Sequence, residues 1–316
     1  MKYEENSNFT DSTVLLLRDL IEERTGINYD IGGVEMLTEK LLSCSLEGGF
    51  ESLLDYYYFL KYDYSPDAWK RLMDALTVAE TYFWREMDQI HALVDVLVPE
   101  YFSRSQPHPL RIWSAACASG EEPLSIAMAL NEKGWFYRAP IDIYASDVSL
   151  KSLDKAKSGV YTERSFRNLP ESLQEKYFSK TEKDSSGFSG DGYGAGSASP
   201  PESSSLNSSV KKFNFLGSSS EKTWRVSADL HSRIQWQQAN LVDESEIKFL
   251  ASSHIIFCRN VFIYFSQNSI RKTLRMFAEY MPQRAYLCVA ASESLLKLSS
   301  EFDLKEIGGA FIYVKS

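Results

Sequence analysis

Thiols are few and scattered in this 316-residue chain: Cys44, Cys117, Cys258 and Cys288 lie far apart, form no CxxC pair and sit in apolar surroundings. That spacing supports neither a disulfide framework nor a zinc site, so no metal is expected and the four read as buried thiols. A cationic excess is missing too. The chain has 34 Lys and Arg against 43 Asp and Glu, a net charge of −9, which argues against a sequence-independent grip on nucleic acid. No apolar run reaches the length needed to span a bilayer, and the opening MKYEENSNFTDS has neither the basic end nor the apolar centre of a signal peptide. A cytoplasmic chain with no membrane insertion is expected. What is present is a normal apolar share, 44%, and enough length for two domains or for one large domain with an appendage.

The most informative stretch is Leu110 to Leu130, LRIWSAACASGEEPLSIAMAL. An apolar run breaks into the small-residue loop 114–120, and a helix then opens through Glu121, Glu122 and Pro123. Small side chains let a ligand approach the backbone, and proline suits the first helical turn, where its missing N–H would be unpaired anyway. A phosphate cradle would want Lys at this mouth, whereas two carboxylates favour a cationic ligand. Glu122 reads as a complement to the helix dipole.

The first hundred residues follow helical spacing. Val14, Leu17 and Ile21 form a stripe after cap residues Asp11 and Ser12, and Gly26 ends that helix. A second helix covers Val34 to Leu46. Phe50, Leu53, Leu54 and Tyr57 mark a third; Trp69, Leu72, Met73 and Leu76 a fourth; Ile90, Leu93, Val94 and Leu97 a fifth, closed by Pro99. This predicts a helical N-terminal domain over 1–98 and a second domain over 99–316. Between the last two helices lies ETYFWRE, three aromatics beside Arg85, which reads equally as a ligand site and as a packing hinge.

From Leu110 onward strands and helices alternate in the βαβ rhythm of a doubly wound α/β sheet. Strands are predicted at Ile141 to Ala145, Arg233 to Trp236, His254 to Cys258 and Ala285 to Ala290, with a closing hairpin across Gly308 and Gly309. Asp147, just past the second strand, is placed to accept hydrogen bonds from ribose hydroxyls or to cap a helix beside Ser149. Residues 184–209 include 17 Ser, Gly or Pro out of 26, a composition that predicts a disordered insertion.

ETYFWRE, WSAACASGEEP, YASDVSLKSLDKAKSGVY, IIFCRNVFIYF and the ASESL of Ala291 to Leu295 occur in the order and at about the spacing of the chemotaxis receptor methyltransferases, the CheR type. The chain resembles that family over nearly its whole length. The resemblance implies a seven-stranded S-adenosylmethionine-dependent methyltransferase sheet behind a small all-helical N-terminal domain, and methyl esterification of glutamate side chains on chemoreceptors or related signalling proteins. It assigns Thr81 and Arg85 to the cofactor pocket, Glu121 to the methionine end of the cofactor, and Asp147 to the ribose. Asn240, Leu241, Arg259 and Asn260 complete the pocket, and Tyr264 lies close to the transferred methyl. Arg85 and Tyr264 are the implied catalytic pair.

The chemistry agrees with what the motifs lack. A glutamate side chain, with a pKa of about 4.3, is ionised at neutral pH and needs no general base to attack a methyl sulfonium. His91, His108, His231 and His254 all fall outside the motifs. Departures from the family pattern stand at Ala79, Ala116, and Ala290 with Ala291. The second helix carries only Lys40 as a cation between Glu35 and Leu42, where the family often presents a basic face to acidic receptor helices. The insertion falls where the family has a small β-subdomain, which puts docking of a receptor tail peptide in doubt. A methyltransferase acting on another carboxylate or small molecule, and an inactive cofactor-binding regulator, are the alternatives.

Overall fold

The computed structural model describes residues 7–63, 65–104, 108–181 and 222–316. Four helices come first: α1 (Ser7–Thr25), α2 (Val34–Glu47), α3 (Leu53–Tyr62) and α4 (Pro66–Leu76). Their apolar stripes meet in one core that includes Leu17, Ile21, Leu37, Leu41, Tyr56, Leu60 and Leu72. α1 starts at Ser7, so Asp11 and Ser12 lie inside the helix rather than at its cap. Phe50 precedes α3, because the Ser52 side chain accepts the Asp55 N–H and fixes the helix start there.

The fifth helical stretch departs further from the sequence pattern. Pro99 does not close it: Asp88–Ala92, a π-helical turn Leu93–Leu97 and Val98–Ser103 run on continuously. Pro99 is tolerated because it sits in the first turn of the last segment, next to the π-helical irregularity. Ile90, Leu93 and Leu97 pack with Leu110 and Ile112 in the core of the sheet, not with the four-helix core. The segment on both sides of the boundary expected after residue 98 thus packs with the sheet, from Ile90 to Val98 and on to Tyr101 and Phe102.

The main sheet has seven strands in the order β6-β2-β1-β7-β8-β10-β9. Its members are β1 (Leu110–Ala115), β2 (Ile141–Asp147), β6 (Ile234–Gln238), β7 (Ile255–Phe257), β8 (Tyr286–Cys288), β9 (Phe302–Ile307) and β10 (Ala310–Lys315). β6, β2, β1, β7 and β8 pair in parallel, with Ile112 set between Ile143 and Ile255. The final hairpin adds the antiparallel pair β10 and β9. Helices Glu121–Glu132 and Leu150–Ser158 contribute to one apolar layer, Glu244–Ala251 and Gln267–Tyr280 to the other. This is the doubly wound arrangement expected. The strand order reverses between β1 and β7, and open α/β sheets bind ligands at that point, beyond the carboxyl ends of the strands.

A second sheet of three short antiparallel strands, β3 (Val160–Thr162), β5 (Thr223–Val226) and β4 (Phe178–Lys180), stands to one side in the order β3-β5-β4. Its Tyr161, Phe178 and Trp224 pack into the main core. A small β-subdomain is thus present despite the insertion. The insertion itself, 184–209, lies outside the described residues.

Candidate active site

Two adjoining cavities occupy the switch point. The larger, about 390 Å³, lies between the helical domain and the sheet. One wall comes from Ile27, Tyr29, Met36 and Lys40, the other from Ala118, Asp147, Leu241 and Tyr264. The smaller, about 60 Å³, is lined by Thr81, Tyr82, Arg85, Glu122, Arg259 and others, and shares Ala116, Ala118 and Asn260 with the larger.

The 114–120 loop forms the floor. Ala116 (φ 57°) and Ala118 (φ 47°) both adopt left-handed backbone, a conformation that costs an L-residue roughly 1–2 kcal/mol. Gly120, at φ 93°, is required: a Cβ there would come within 2.8 Å of the Trp236 ring. Asp147 holds the loop in place. Its carboxylate accepts the N–H of Ala118 at 2.8 Å and of Ser149 at 2.9 Å, while the Ser149 hydroxyl caps the following helix. Burial pushes the Asp147 carboxyl above its ordinary value, against those backbone hydrogen bonds.

The two neighbouring carboxylates part company. Glu121, 1% exposed, accepts the hydroxyls of Ser119 at 2.7 Å and Ser165 at 2.9 Å and lines neither cavity. Adjacent helix positions point about 100° apart, so only one of the two can face the ligand space. That one is Glu122. It accepts the Ser114 hydroxyl at 2.7 Å and lies 3.6 Å from the Arg259 guanidinium. Burial raises its pKa, opposed by Arg259 and by the Ser114 hydrogen bond. Glu121, expected at the cofactor's methionine end, is thus turned to its serine partners, and Glu122, expected as a complement to the helix dipole, lines the cavity; helical spacing alone does not say which of the two turns inward.

The remaining expected residues reach the cavities. Thr81, Arg85 and Arg259 line the smaller, Asn240, Leu241 and Tyr264 the larger, and Asn260 both. ETYFWRE is an extended loop with turns, and its three aromatics divide. Phe83 is fully buried against Tyr161, Phe166 and Phe178 at ring distances of 4.8, 5.2 and 5.0 Å, whereas Tyr82 lies under the guanidinium of Arg167 at 3.7 Å. The core anchor leaves Arg85 at the cavity, its guanidinium donating to the Glu80 carbonyl at 3.0 Å. Arg259, whose side chain is 2% exposed, donates to the Arg85 carbonyl at 2.8 Å and keeps a buried Nε without a partner.

The helical domain supplies half of the larger cavity, a wall that reading the domains separately did not anticipate. Ile27 bridges Phe265, the Asn28 N–H donates to the Tyr264 carbonyl at 2.8 Å, and the Ser266 N–H donates to the Gly26 carbonyl at 3.3 Å. The Asn240 side chain donates to the Arg24 carbonyl at 2.7 Å. Among the described residues, no cluster of three or more His, Cys, Asp or Glu is placed to hold a metal, and no helix is long and apolar enough to cross a membrane. The four cysteines are buried.

Residues 79–191 and 199–309 match the model of the CheR methyltransferase, SAM binding domain, and residues 14–77 that of the CheR methyltransferase, all-alpha domain. The chain belongs to the CheR methyltransferase family. It is similar to chemotaxis protein methyltransferase 2 of Vibrio cholerae, at 29% identity over 97% of this chain and 93% of that protein. Chemotaxis protein methyltransferase of Borreliella burgdorferi is 28% identical over 93% of this chain and 92% of its own length. Chemotaxis protein methyltransferase 2 of Pseudomonas aeruginosa is 32% identical over 72% and 67%. As a CheR-family methyltransferase the chain uses S-adenosylmethionine, and the two cavities suit that molecule. The smaller offers carboxylate and guanidinium together, which a zwitterionic amino-acid end needs, and the orphaned Arg259 Nε has a hydrogen bond still to make. The larger sets a carboxylate, Asp147, among apolar side chains, which a ribose joined to a base needs.

Proposed function

We propose that this chain methylates glutamate side chains of a cytoplasmic chemoreceptor domain or a related signalling protein, giving glutamyl methyl esters and S-adenosylhomocysteine. The observation that carries this reading is the composition of the paired cavities: both charge signs in the smaller one, and, among the described residues, no histidine lining either. S-adenosylmethionine supplies an electrophilic methyl on a sulfonium, and a carboxylate acceptor arrives already ionised. The protein's part is then placement.

In this proposal Asp147 accepts the ribose hydroxyls, with Leu241 and Asn240 beside the base. Glu122 faces the ammonium of the methionine end, while Thr81, Arg259 and Asn260 complete that pocket. Arg85 orients the incoming carboxylate without neutralising it, since too tight a grip would weaken the nucleophile. Tyr264, 38% exposed on the wall of the larger cavity, stands where the acceptor enters. The test is incubation with methyl-labelled S-adenosylmethionine and soluble receptor fragments, followed by mild base. Label released as methanol is the expected result; base-stable label would place the methyl elsewhere than on a carboxylate.

A further inference from the structure

The loop after β7 carries Arg259, Asn260 and Tyr264, yet nothing in the β-ladder holds it. Asn260 adopts left-handed backbone, φ 59°, and the chain then makes a short 3-10 turn, Phe262–Tyr264. Its N–H groups turn away from the cavities, toward a carboxylate on another segment. Glu293, in the turn after β8, is 8% exposed. One of its oxygens accepts the N–H of Asn260 at 2.9 Å and of Ala290 at 2.9 Å; the other accepts Val261 at 2.8 Å and Ile263 at 3.3 Å. All four donors are backbone groups. The Glu293 N–H also closes its own turn on the Ala290 carbonyl at 2.9 Å.

We infer that Glu293 is a positioning residue for methyl transfer: its carboxylate fills the concave face of the 260–263 loop and so aims Arg259, Asn260 and Tyr264 at the cavities. Consecutive backbone N–H groups of this kind attract anions. Without that carboxylate the loop would leave the N–H groups of Asn260, Val261 and Ile263 without their acceptor, and the turn that carries Arg259, Asn260 and Tyr264 would lose the contact that fixes its orientation. Ionised acceptors make hydrogen bonds roughly twice as strong as neutral ones, which offsets the strain at Asn260. No other side-chain type serves, because an amide has one acceptor oxygen and would turn its own NH2 toward the remaining donors.

The inference rests on the proposed methyl transfer for its kinetic test but has a readout independent of it. Glu293→Gln is expected to cut turnover per folded molecule about tenfold or more at saturating substrates, because a misplacement of about 1 Å can cost on the order of a hundredfold. Its affinity for S-adenosylhomocysteine should fall by several-fold in calorimetry. Glu293→Asp, which keeps both oxygens on a shorter stem, should recover part of the turnover at a similar melting temperature. A Gln variant with turnover and affinity within twofold of the parent, measured well below its melting temperature, overturns the inference; so does an Asp variant no better than Gln. If neither variant folds, hydrogen exchange in the parent decides. The amides of Asn260, Val261 and Ile263 should exchange as slowly as those of β7, and exchange at the rate of an open loop would overturn the proposal. A parent that binds S-adenosylhomocysteine but methylates no receptor fragment would instead sink the functional reading, leaving the exchange test intact.

Discussion

The two ends of the parallel strands both carry cavities, yet only one has the makings of a site. At the amino end a space of about 280 Å³ opens beside Tyr101, Leu110, His254 and Tyr286. There the central polar group is satisfied internally: His254 accepts the Arg111 N–H at 3.1 Å through Nδ1 and lies 3.3 Å from the Tyr101 hydroxyl through Nε2. At the carboxyl end the backbone is strained at Ala116, Ala118 and Asn260, and Arg259 retains an unpaired buried Nε. Volume alone does not mark function, and neither does one strained residue or one orphaned nitrogen: Arg284 (φ 59°) lines the amino-end space, and Arg111 beside His254 has a buried Nε without a partner. What sets the carboxyl end apart is convergence: three left-handed residues, an orphaned guanidinium and the carboxylates of Glu122 and Asp147 line one pair of adjoining cavities.

The sharpest way to break this contrast is Arg85→Lys. Lys keeps the charge but cannot reproduce a planar fork, so turnover should fall on the order of a hundredfold while the melting temperature stays near the parent's. Circular dichroism melts beside a methanol-release assay separate the cases. A variant that melts early but turns over normally per folded molecule would reduce Arg85 to packing.

Asp147→Ala should weaken cofactor binding by about 1.5 to 3 kcal/mol, the worth of a hydrogen bond to a charged group. An affinity within twofold of the parent in a folded variant would refute the ribose assignment. The same group gives the binding a pH dependence. Only the ionised carboxylate accepts two hydroxyls, so affinity is full above its pKa and lost as pH falls through it. Burial has raised that pKa, so the loss should begin at a higher pH than an exposed carboxylate, with a pKa of about 3.9, would impose.

A milder test uses the adjacent pair. Glu122→Gln should weaken cofactor binding with little change in melting temperature. Glu121→Gln should do the reverse, because the Ser119 and Ser165 hydroxyls would lose one of their acceptors, at a cost of about 1 to 3 kcal/mol. Equal effects of the two on affinity would undo the distinction between them.

The smallest expected effect lies at the amino end. Burial, then Arg111 and His108, depress the His254 pKa to about 4, below the ordinary value of 6.5. The folded state therefore binds fewer protons there than the unfolded one, and the stability this contributes is present above pH 6.5 and lost as pH falls toward 4. His254→Gln should flatten the melting-temperature profile in that window without altering turnover. A changed turnover would mean that the amino-end cavity matters to catalysis after all.

Much of this was legible beforehand where pattern and period coincide. The helical stripes of Leu17 and Ile21, the strand at Ile141 and the turn at Gly120 follow from local rules that tertiary packing did not override. The pocket residues came chiefly from family motifs, and those motifs do not say which way a side chain turns. Glu121 and Glu122 differ only in rotation about a helix axis and in the serines waiting for one of them, one from a segment 44 residues away. Pro99 misled because a prolyl residue stops a helix only where its N–H is needed. The wall built by Ile27, Tyr29 and Met36 was invisible for a simpler reason: it belongs to no single element, and arises when a connection between two helices lies along another domain.

That connection makes the cofactor a fastener. Gly26, Ile27 and Asn28 are stitched to Tyr264, Phe265 and Ser266 at the rim of the chamber where we place the ligand. A ligand touching both walls stabilises the docked arrangement over the separated one, by about 2.7 kcal/mol at a hundredfold excess over its dissociation constant. The helical domain then draws part of its resistance to heat from the cofactor supply. Saturated, the chain should melt as one cooperative unit; starved, its first four helices should come away at a lower temperature than the sheet.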